Sequence, residues 1–249
     1  MYRIIVATLT YFLFSVATVQ AGTVSLSAAA SMSDAFKELI ADFTKAHPDA
    51  QFLTNFGSSG SLAKQIEEGA PVDLFVSANP KWMKFLVEKN QAAPGTDHIF
   101  AYNKLVFVGQ EKTGVSSLAD LVKLDRVAIG APESVPAGQY AKQALESAKL
   151  YATLEQAKKL VMAKDVRQAL VYADRGEVDG AFVYKTDALL AEKARILFIV
   201  PDELYDRVAY PLALTVTGGK NPTAVAFYDY MASEKALAIL AKYGFEPVK

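Results

Sequence analysis

An α/β protein of two similar lobes is what this chain of 249 residues predicts. Apolar, strand-length runs alternate with amphipathic helical stretches almost from end to end, the rhythm of parallel β-α units. That rhythm restarts near 104–110, and the chain returns near 205–210. The corners that lead from strand to helix are built of small residues, several times over. The expected division is a leader over 1–21, one lobe from 22–103 with 206–249, and a second lobe from 104–205. Each lobe is expected to be a mainly parallel sheet flanked by helices. With 52% hydrophobic and 21% charged residues, the chain can bury a substantial core.

The leader reads as a signal peptide. Arg3 supplies the positive start, Ile4 to Val19 the apolar stretch, and Val19-Gln20-Ala21 a small-residue cleavage site. Thr8, Thr10, Ser15 and Thr18 interrupt the apolar run, which argues against a membrane anchor. Cleavage near Ala21 would leave a chain starting at Gly22, exported, most simply to a bacterial periplasm. The absence of cysteine excludes disulfides, thiolate metal sites, cysteine nucleophiles and a lipidated cleavage site.

In the first lobe a strand over Thr23–Ala29 leads into Ala30-Ser31. A helix follows with Met32, Ala35, Phe36, Leu39, Ile40 and Phe43 on one face. Ser31 and Asp34 match a Ser-x-x-Asp capping pattern, and Pro48 closes the segment. A strand at 50–56 then enters the turn Gly57-Ser58-Ser59-Gly60. The helix after it has the apolar face Leu62, Ala63 and Ile66, and Gly69 stops it. A short buried strand at 71–78 precedes a helix that opens on Pro80. Residues 91–98 are turn-rich, and 103–109 form a strand.

The second lobe is expected to hold a short helix at 118–124, a strand at 126–129 and a helix from Pro136 to about Ala148. Further helix is expected at 154–160, then a helix opened by the capping pair Asp165 and Gln168. Strands follow at 179–184 and 195–200. Pro211 interrupts the last strand, 208–216, and assigns it to an edge or a crossover. Helices over 222–231 and 234–243 close the chain.

Function is expected at the corners. A helix N-terminus presents N–H groups without intrahelical partners at the positive end of the helix dipole, and so suits an anion. Four such N-termini lie beyond strand ends, at Ser31, Ser59, Ala137 and Val166, two in each lobe, and the cleft between lobes is where they would meet. Ser59 has a second reading as a plain helix cap. Tyr184 ends a buried strand at the same edge, where its hydroxyl is either a donor or simply the wet end of a structural ring.

Other chemistries fit poorly. The only histidines, His47 and His98, sit at the far end of a helix and in a polar turn, so no serine has a base. Gly57-Ser58-Ser59-Gly60-Ser61 does not match a nucleophile elbow. No metal-ligand cluster or phosphate loop is present. A net charge of −1 leaves no nucleic-acid footprint. No cofactor is implied.

The motifs that remain resemble one family. Ala29-Ala30-Ser31, Phe56-Gly57-Ser58-Ser59, Ala70-Pro71-Val72-Asp73-Leu74-Phe75, Lys81-Trp82-Met83, Val135-Pro136-Ala137-Gly138, Asp165-Val166-Arg167, Val183-Tyr184 and Tyr243-Gly244-Phe245 are similar, in order, to those of the periplasmic molybdate-binding proteins. These are the solute-binding components of ABC-type molybdate importers. The resemblance covers the whole chain after the leader. It implies the two-lobed periplasmic-binding-protein fold of type II, with molybdate or tungstate in the interlobe cleft and an ABC-type membrane permease as partner. It also implies a monomer with no catalytic residues and no cation ligated by side chains. By position it gives five donors: Ser31 and Ser59, the backbone amides of Ala137 and Val166, and the Tyr184 hydroxyl. Where family members carry a Ser-Ser-Ser run, this chain has Gly60, and whether Ser58 or Ser59 donates is left open. Asp165 would repel a dianion unless its carboxylate turns back into its own cap. A donor-only site suits a fully ionised tetrahedral anion, because monohydrogen phosphate needs an acceptor for its proton. Sulfate has the same charge, and only cavity size would separate it. Receptors for sulfate, phosphate or ferric iron, and an exported enzyme on the same scaffold, are the competing readings. Iron receptors of this build often use a Tyr-Tyr pair, which is missing here.

Overall fold

The computed structural model describes residues 22–248. The expected signal peptide lies outside them. Two sheets are formed. The first is built from β1 (Thr23–Ala29), β2 (Gln51–Gly57), β3 (Leu74–Val76), β4 (His98–Tyr102), β10 (Ala209–Leu214) and β11 (Glu246–Pro247), in the order β11-β4-β10-β3-β1-β2. The second is built from β5 (Leu105–Gly109), β6 (Val127–Gly130), β7 (Leu160–Ala163), β8 (Gly180–Tyr184) and β9 (Arg195–Ile199), in the order β7-β6-β8-β5-β9. The chain crosses between sheets at 103–104 and again at 200–208. Around the first sheet lie α1 (Ser33–Ala46), α2 (Ser59–Glu67), α3 (Pro80–Glu88), α8 (Pro222–Tyr230) and α9 (Glu234–Lys242). With the second go α4 (Pro136–Ser147), α5 (Tyr151–Gln156), α6 (Val166–Asp174) and α7 (Lys185–Ala188).

The α/β alternation is as the sequence predicts, but both sheets are mixed rather than mainly parallel. β1 runs parallel to β2 and β3, and β6 to β7 and β8, whereas β10 and β5 run antiparallel to both of their neighbours. Both antiparallel strands directly follow a crossing, so each enters its new sheet from the opposite end. Pro211 does not mark an edge. β10 lies between β4 and β3, and the register against β4 shifts between Tyr210 and Pro211, an irregularity that accommodates a residue without an N–H.

Other boundaries differ for local reasons. Residues 154–160 are not one helix. α5 ends at Gln156, Lys158 turns the chain with φ +55°, and Leu160 already begins β7. Four residues of edge strand are too few for a period-2 signal. His98 opens β4 instead of lying in a turn, and Leu118–Lys123 is a 3-10 helix.

The parallel pairs set the function-bearing corners level. β1 and β2 are in register from Thr23↔Gln51 to Ala29↔Gly57, and β6 and β7 from Val127↔Leu160 to Gly130↔Ala163. The chain therefore leaves each pair at the same edge. Gly138 seats α4 directly over the end of β6, since a Cβ there would lie 1.8 Å from the Gly130 carbonyl oxygen. α2 is held by a small apolar cluster, where Leu62, Ala63 and Ile66 meet Phe75, Trp82, Met83 and Leu86.

The main core of the first sheet is aromatic. The Phe227 ring lies 5.1 Å from Phe43, 4.8 Å from Phe52, 6.3 Å from Phe36 and 5.9 Å from Tyr230, centre to centre. Phe227 is fully buried and ties α8 to α1 and β2. Truncation to Phe227→Ala should cost about 3–5 kcal/mol. Urea unfolding should show this as a lower midpoint, and an unshifted midpoint would mean that the cluster is not integral to the core.

Candidate functional site

Five sequence-predicted residues, Ser31, Ser59, Ala137, Val166 and Tyr184, line one cavity between the two sheets, together with Ser58 and Asp165. The cavity is small, with a volume of about 10 Å3. A larger open groove of about 560 Å3, lined by Asn79, Gln139, Tyr140 and Arg207 among others, carries both acidic and basic side chains.

The α2 corner separates two adjacent serines. Ser58 is the cap. Its Oγ accepts the Ser61 N–H at 3.3 Å and donates to Ser61 Oγ at 2.8 Å. Ser59 is the first residue of the helix, one position later than the capping reading of the sequence requires. Its Oγ accepts the Ala78 N–H at 3.0 Å, so its own proton is left to donate. At the α4 corner Val135 precedes Pro136, and Ala137 follows as the second helical residue. At the α6 corner Val166 is first. Among the described residues no acceptor takes the N–H of Ser59, Ala137 or Val166. Asp165 turns into its own cap, where its Oδ1 accepts the Gln168 N–H at 2.8 Å and Gln168 Oε1 accepts the Lys164 N–H at 2.7 Å. One carboxylate oxygen of Asp165 is thereby turned to the helix cap, and Gln168 reaches back to the residue before it.

Ser31 does not cap α1. It sits in a 3-10 turn, Ala30–Met32, and its Oγ lies 2.9 Å from the Tyr210 hydroxyl. Asp34, the expected partner in that cap, instead accepts from Arg167 Nη2 at 2.9 Å. Arg167 also lies 2.7 Å from Asp187 through Nε, off the line of a hydrogen bond, and donates to the Ser31 carbonyl at 3.3 Å. Burial raises the Asp187 carboxyl to about 6 against the pull of Arg167. At Asp34 burial also acts to raise, but Arg167 and Lys37 outweigh it and hold the carboxyl below its usual value. The Arg167 guanidinium, beside Ser31, is therefore committed to two carboxylates. Tyr184 ends β8, and its buried hydroxyl has no partner. Burial, with Tyr210 and Tyr140 nearby, pushes it well above the usual tyrosine range, so it remains a donor.

Contacts across the cleft hold the corners together. The Gly60 N–H donates to the Ser134 carbonyl at 2.9 Å, and Asn79 donates to Gln139. Sequence reasoning missed Tyr210, Asn103, the Ala78 amide and the Gly60–Ser134 contact. All are long-range partners without a local motif; only the departure at Gly60 gave a signal.

A profile of the bacterial extracellular solute-binding proteins matches residues 24–246. The chain belongs to that family. Among similar proteins are the molybdate-binding protein ModA of Haemophilus influenzae, 37% identical over 89% of either chain, and that of Escherichia coli, 36% identical over 90% of this chain and 89% of the other. The periplasmic molybdate-binding protein of Azotobacter vinelandii shares the fold, with a TM-score of 0.81 at 24% identity over 91% of this chain and all of the other. Among the described residues of this solute-binding protein, no three His, Cys, Asp or Glu side chains cluster for a metal ion, and no helix is long and apolar enough to cross a membrane.

Gly60 is one of the places where the solute-binding protein's two halves touch. A Cβ there would come within 2.6 Å of the Ser134 oxygen and 2.5 Å of the Trp82 ring. Trp82 is the only tryptophan and is buried at this contact. Overpacking costs about 1–3 kcal/mol, so Gly60→Ala should drive the halves apart. The Trp82 emission should move to longer wavelength and the radius of gyration should rise. No change in either would mean that the Gly60–Ser134 contact does not hold the cleft.

Proposed function

We propose that this solute-binding protein captures molybdate or tungstate outside the cytoplasm as a fully ionised tetrahedral dianion and delivers it to an ABC-type membrane permease. The observation that carries the reading is the meeting of protons that have no acceptor in the protein: the hydroxyls of Ser59 and Tyr184 and the amides of Ser59, Ala137 and Val166, with Ser31 beside them. Three of these positions stand at helix N-termini, whose dipoles favour negative charge. The set is one of donors, and Arg167, the guanidinium beside Ser31, is already paired with Asp34 and Asp187. The molybdate-binding names of relatives at 36–37% identity support molybdate over sulfate, which the donor chemistry does not separate.

In this reading Ser31, Ser59, Ala137, Val166 and Tyr184 hold the anion. Residues 22–103 with 206–249 and residues 104–205 form the two lobes that close on it, as a monomer without catalytic residues, cofactor or nucleic-acid partner. Export through a signal peptide cleaved near Ala21 places the protein in the periplasm, where the anion is collected.

Thermal unfolding of the chain from Gly22 onward tests the ligand. A ligand at 100 times its Kd stabilises the native state by about 2.7 kcal/mol. For this size that is roughly 5–10 °C in Tm. Molybdate and tungstate should produce that shift, and sulfate and phosphate much less at equal concentration. An equal shift with sulfate would overturn the size selection, and silence toward every oxyanion would overturn the reading.

The two serines of the α2 corner provide a second test. Ser59→Ala removes a charge-assisted bond worth roughly 1.5–3 kcal/mol, so molybdate affinity should fall about 10- to 150-fold while the cap stays intact. Ser58→Ala should do the reverse, lowering stability by about 1 kcal/mol with little effect on affinity. Calorimetric titration and urea unfolding of both variants separate the roles; the opposite pattern would assign the donor to Ser58.

A further inference from the structure

Ser31 is the one predicted hydroxyl whose donor or acceptor state its nearest contact leaves undecided. Its Oγ and the Tyr210 hydroxyl are 2.9 Å apart, and either could hold the proton between them. The surroundings of Tyr210 decide it. Asn103 stands in the first crossing between the sheets, and its Oδ1 accepts the Lys104 N–H at 2.8 Å. That fixes the amide the other way round, with Nδ2 donating to Thr186 Oγ1 at 2.9 Å and, more weakly, to the Tyr210 oxygen at 3.4 Å. Tyr210 is fully buried and has no other side-chain hydrogen-bond partner among the described residues. Were its oxygen to accept from Ser31 as well, its own proton would be buried without an acceptor, an arrangement that native interiors avoid. The proton of Tyr210 therefore goes to Ser31 Oγ.

We propose that Tyr210, oriented by Asn103, is a positioning residue that fixes the Ser31 hydroxyl as a donor into the cavity. This rests on the anion reading above and deepens it. The order of donation runs Asn103, Tyr210, Ser31, and then the ligand. Ser59 has the same device in another form, with the Ala78 N–H filling its acceptor side. Tyr210 also supports the third hydroxyl, for its ring packs edge-on against the Tyr184 ring with centroids 5.8 Å apart. Asn103 and Tyr210 lie at or just after the two chain crossings, so the segments that join the lobes also set the polarity of a ligand donor.

A double-mutant cycle read by calorimetric titration with molybdate tests this. Tyr210→Phe keeps the ring and removes the hydroxyl, and should lower affinity roughly 3- to 30-fold, within the usual coupling of residues in contact. On a Ser31→Ala background the same change should alter affinity by less than about twofold, because there is no hydroxyl left to orient. A purely structural tyrosine would lower both backgrounds by the same factor, and that result overturns the assignment, as does full affinity in Tyr210→Phe. Asn103→Ala changes no residue of β10 and leaves the Tyr210 ring in place. It should give a smaller loss that also disappears on the Ser31→Ala background, and so keeps the test if Tyr210→Phe folds poorly; a loss that persists there overturns the relay. If the unaltered protein binds no molybdate, tungstate or sulfate, the anion reading falls and the assignment with it. Binding by the unaltered protein with equal losses on both backgrounds overturns the assignment alone.

Discussion

Buried donors without acceptors are the constraint on which the rest of this structure depends. An N–H or O–H withdrawn from water and left unpaired is costly, roughly 1–3 kcal/mol each. Several of them meet around one small cavity here, the amides of Ser59, Ala137 and Val166 and the hydroxyl of Tyr184 among them. In the proposed reading, a fully ionised oxyanion is the group that would satisfy them together. The same logic explains why the nearest cation is kept out of play. Arg167 is spanned by Asp34 from the first lobe and Asp187 from its own, so its charge joins the lobes rather than meeting a ligand. The field in the cavity is then left to helix termini and oriented hydroxyls.

Much of the scaffold can be understood as the means of bringing those donors level. Equal register in the β1–β2 and β6–β7 pairs brings paired corners out at one height. Gly138 and Gly60 then remove the side-chain thickness that would hold α4 off β6 and the second lobe off α2. The glycines act at different levels. Gly138 sets distances inside one lobe, whereas Gly60 sits where the two halves meet. The Gly60 contact also uses an N–H of the same helix end that presents Ser59, so the contact between the halves and the Ser59 corner share one turn of helix.

The corners were legible in the sequence because strand, small residues and helix are local signals, and so the N-termini of α2, α4 and α6 were placed within a residue. What failed was whatever a distant residue decides. Ser31 and Asp34 have the spacing of a cap, yet Tyr210 takes one and Arg167 the other, 179 and 133 residues away. Ser58 and Ser59 are chemically identical in a sequence, and only the Ala78 amide on the neighbouring strand's loop tells them apart. The mixed sheets were missed for a related reason. Alternation of elements shows that strands are joined by helices, but it does not show from which end a strand enters after a crossing, and β5 and β10 both enter reversed.

Tyr184 shows that the two roles weighed for it from the sequence were never alternatives. Its ring is packed among Tyr140 and Tyr210, with centroids 6.5 and 5.8 Å away, which is as structural a position as any tyrosine in the chain. That burial removes water from the hydroxyl and raises its pKa, so the group stays protonated and has nothing else to bond. A tyrosine at the surface would keep a water on its oxygen, and a ligand would have to displace it for little gain. In the proposed site, the buried ring is the reason the hydroxyl is worth having. Tyr210 extends the same principle one bond further from the cavity, where burial dictates the direction in which a neighbour's proton must point.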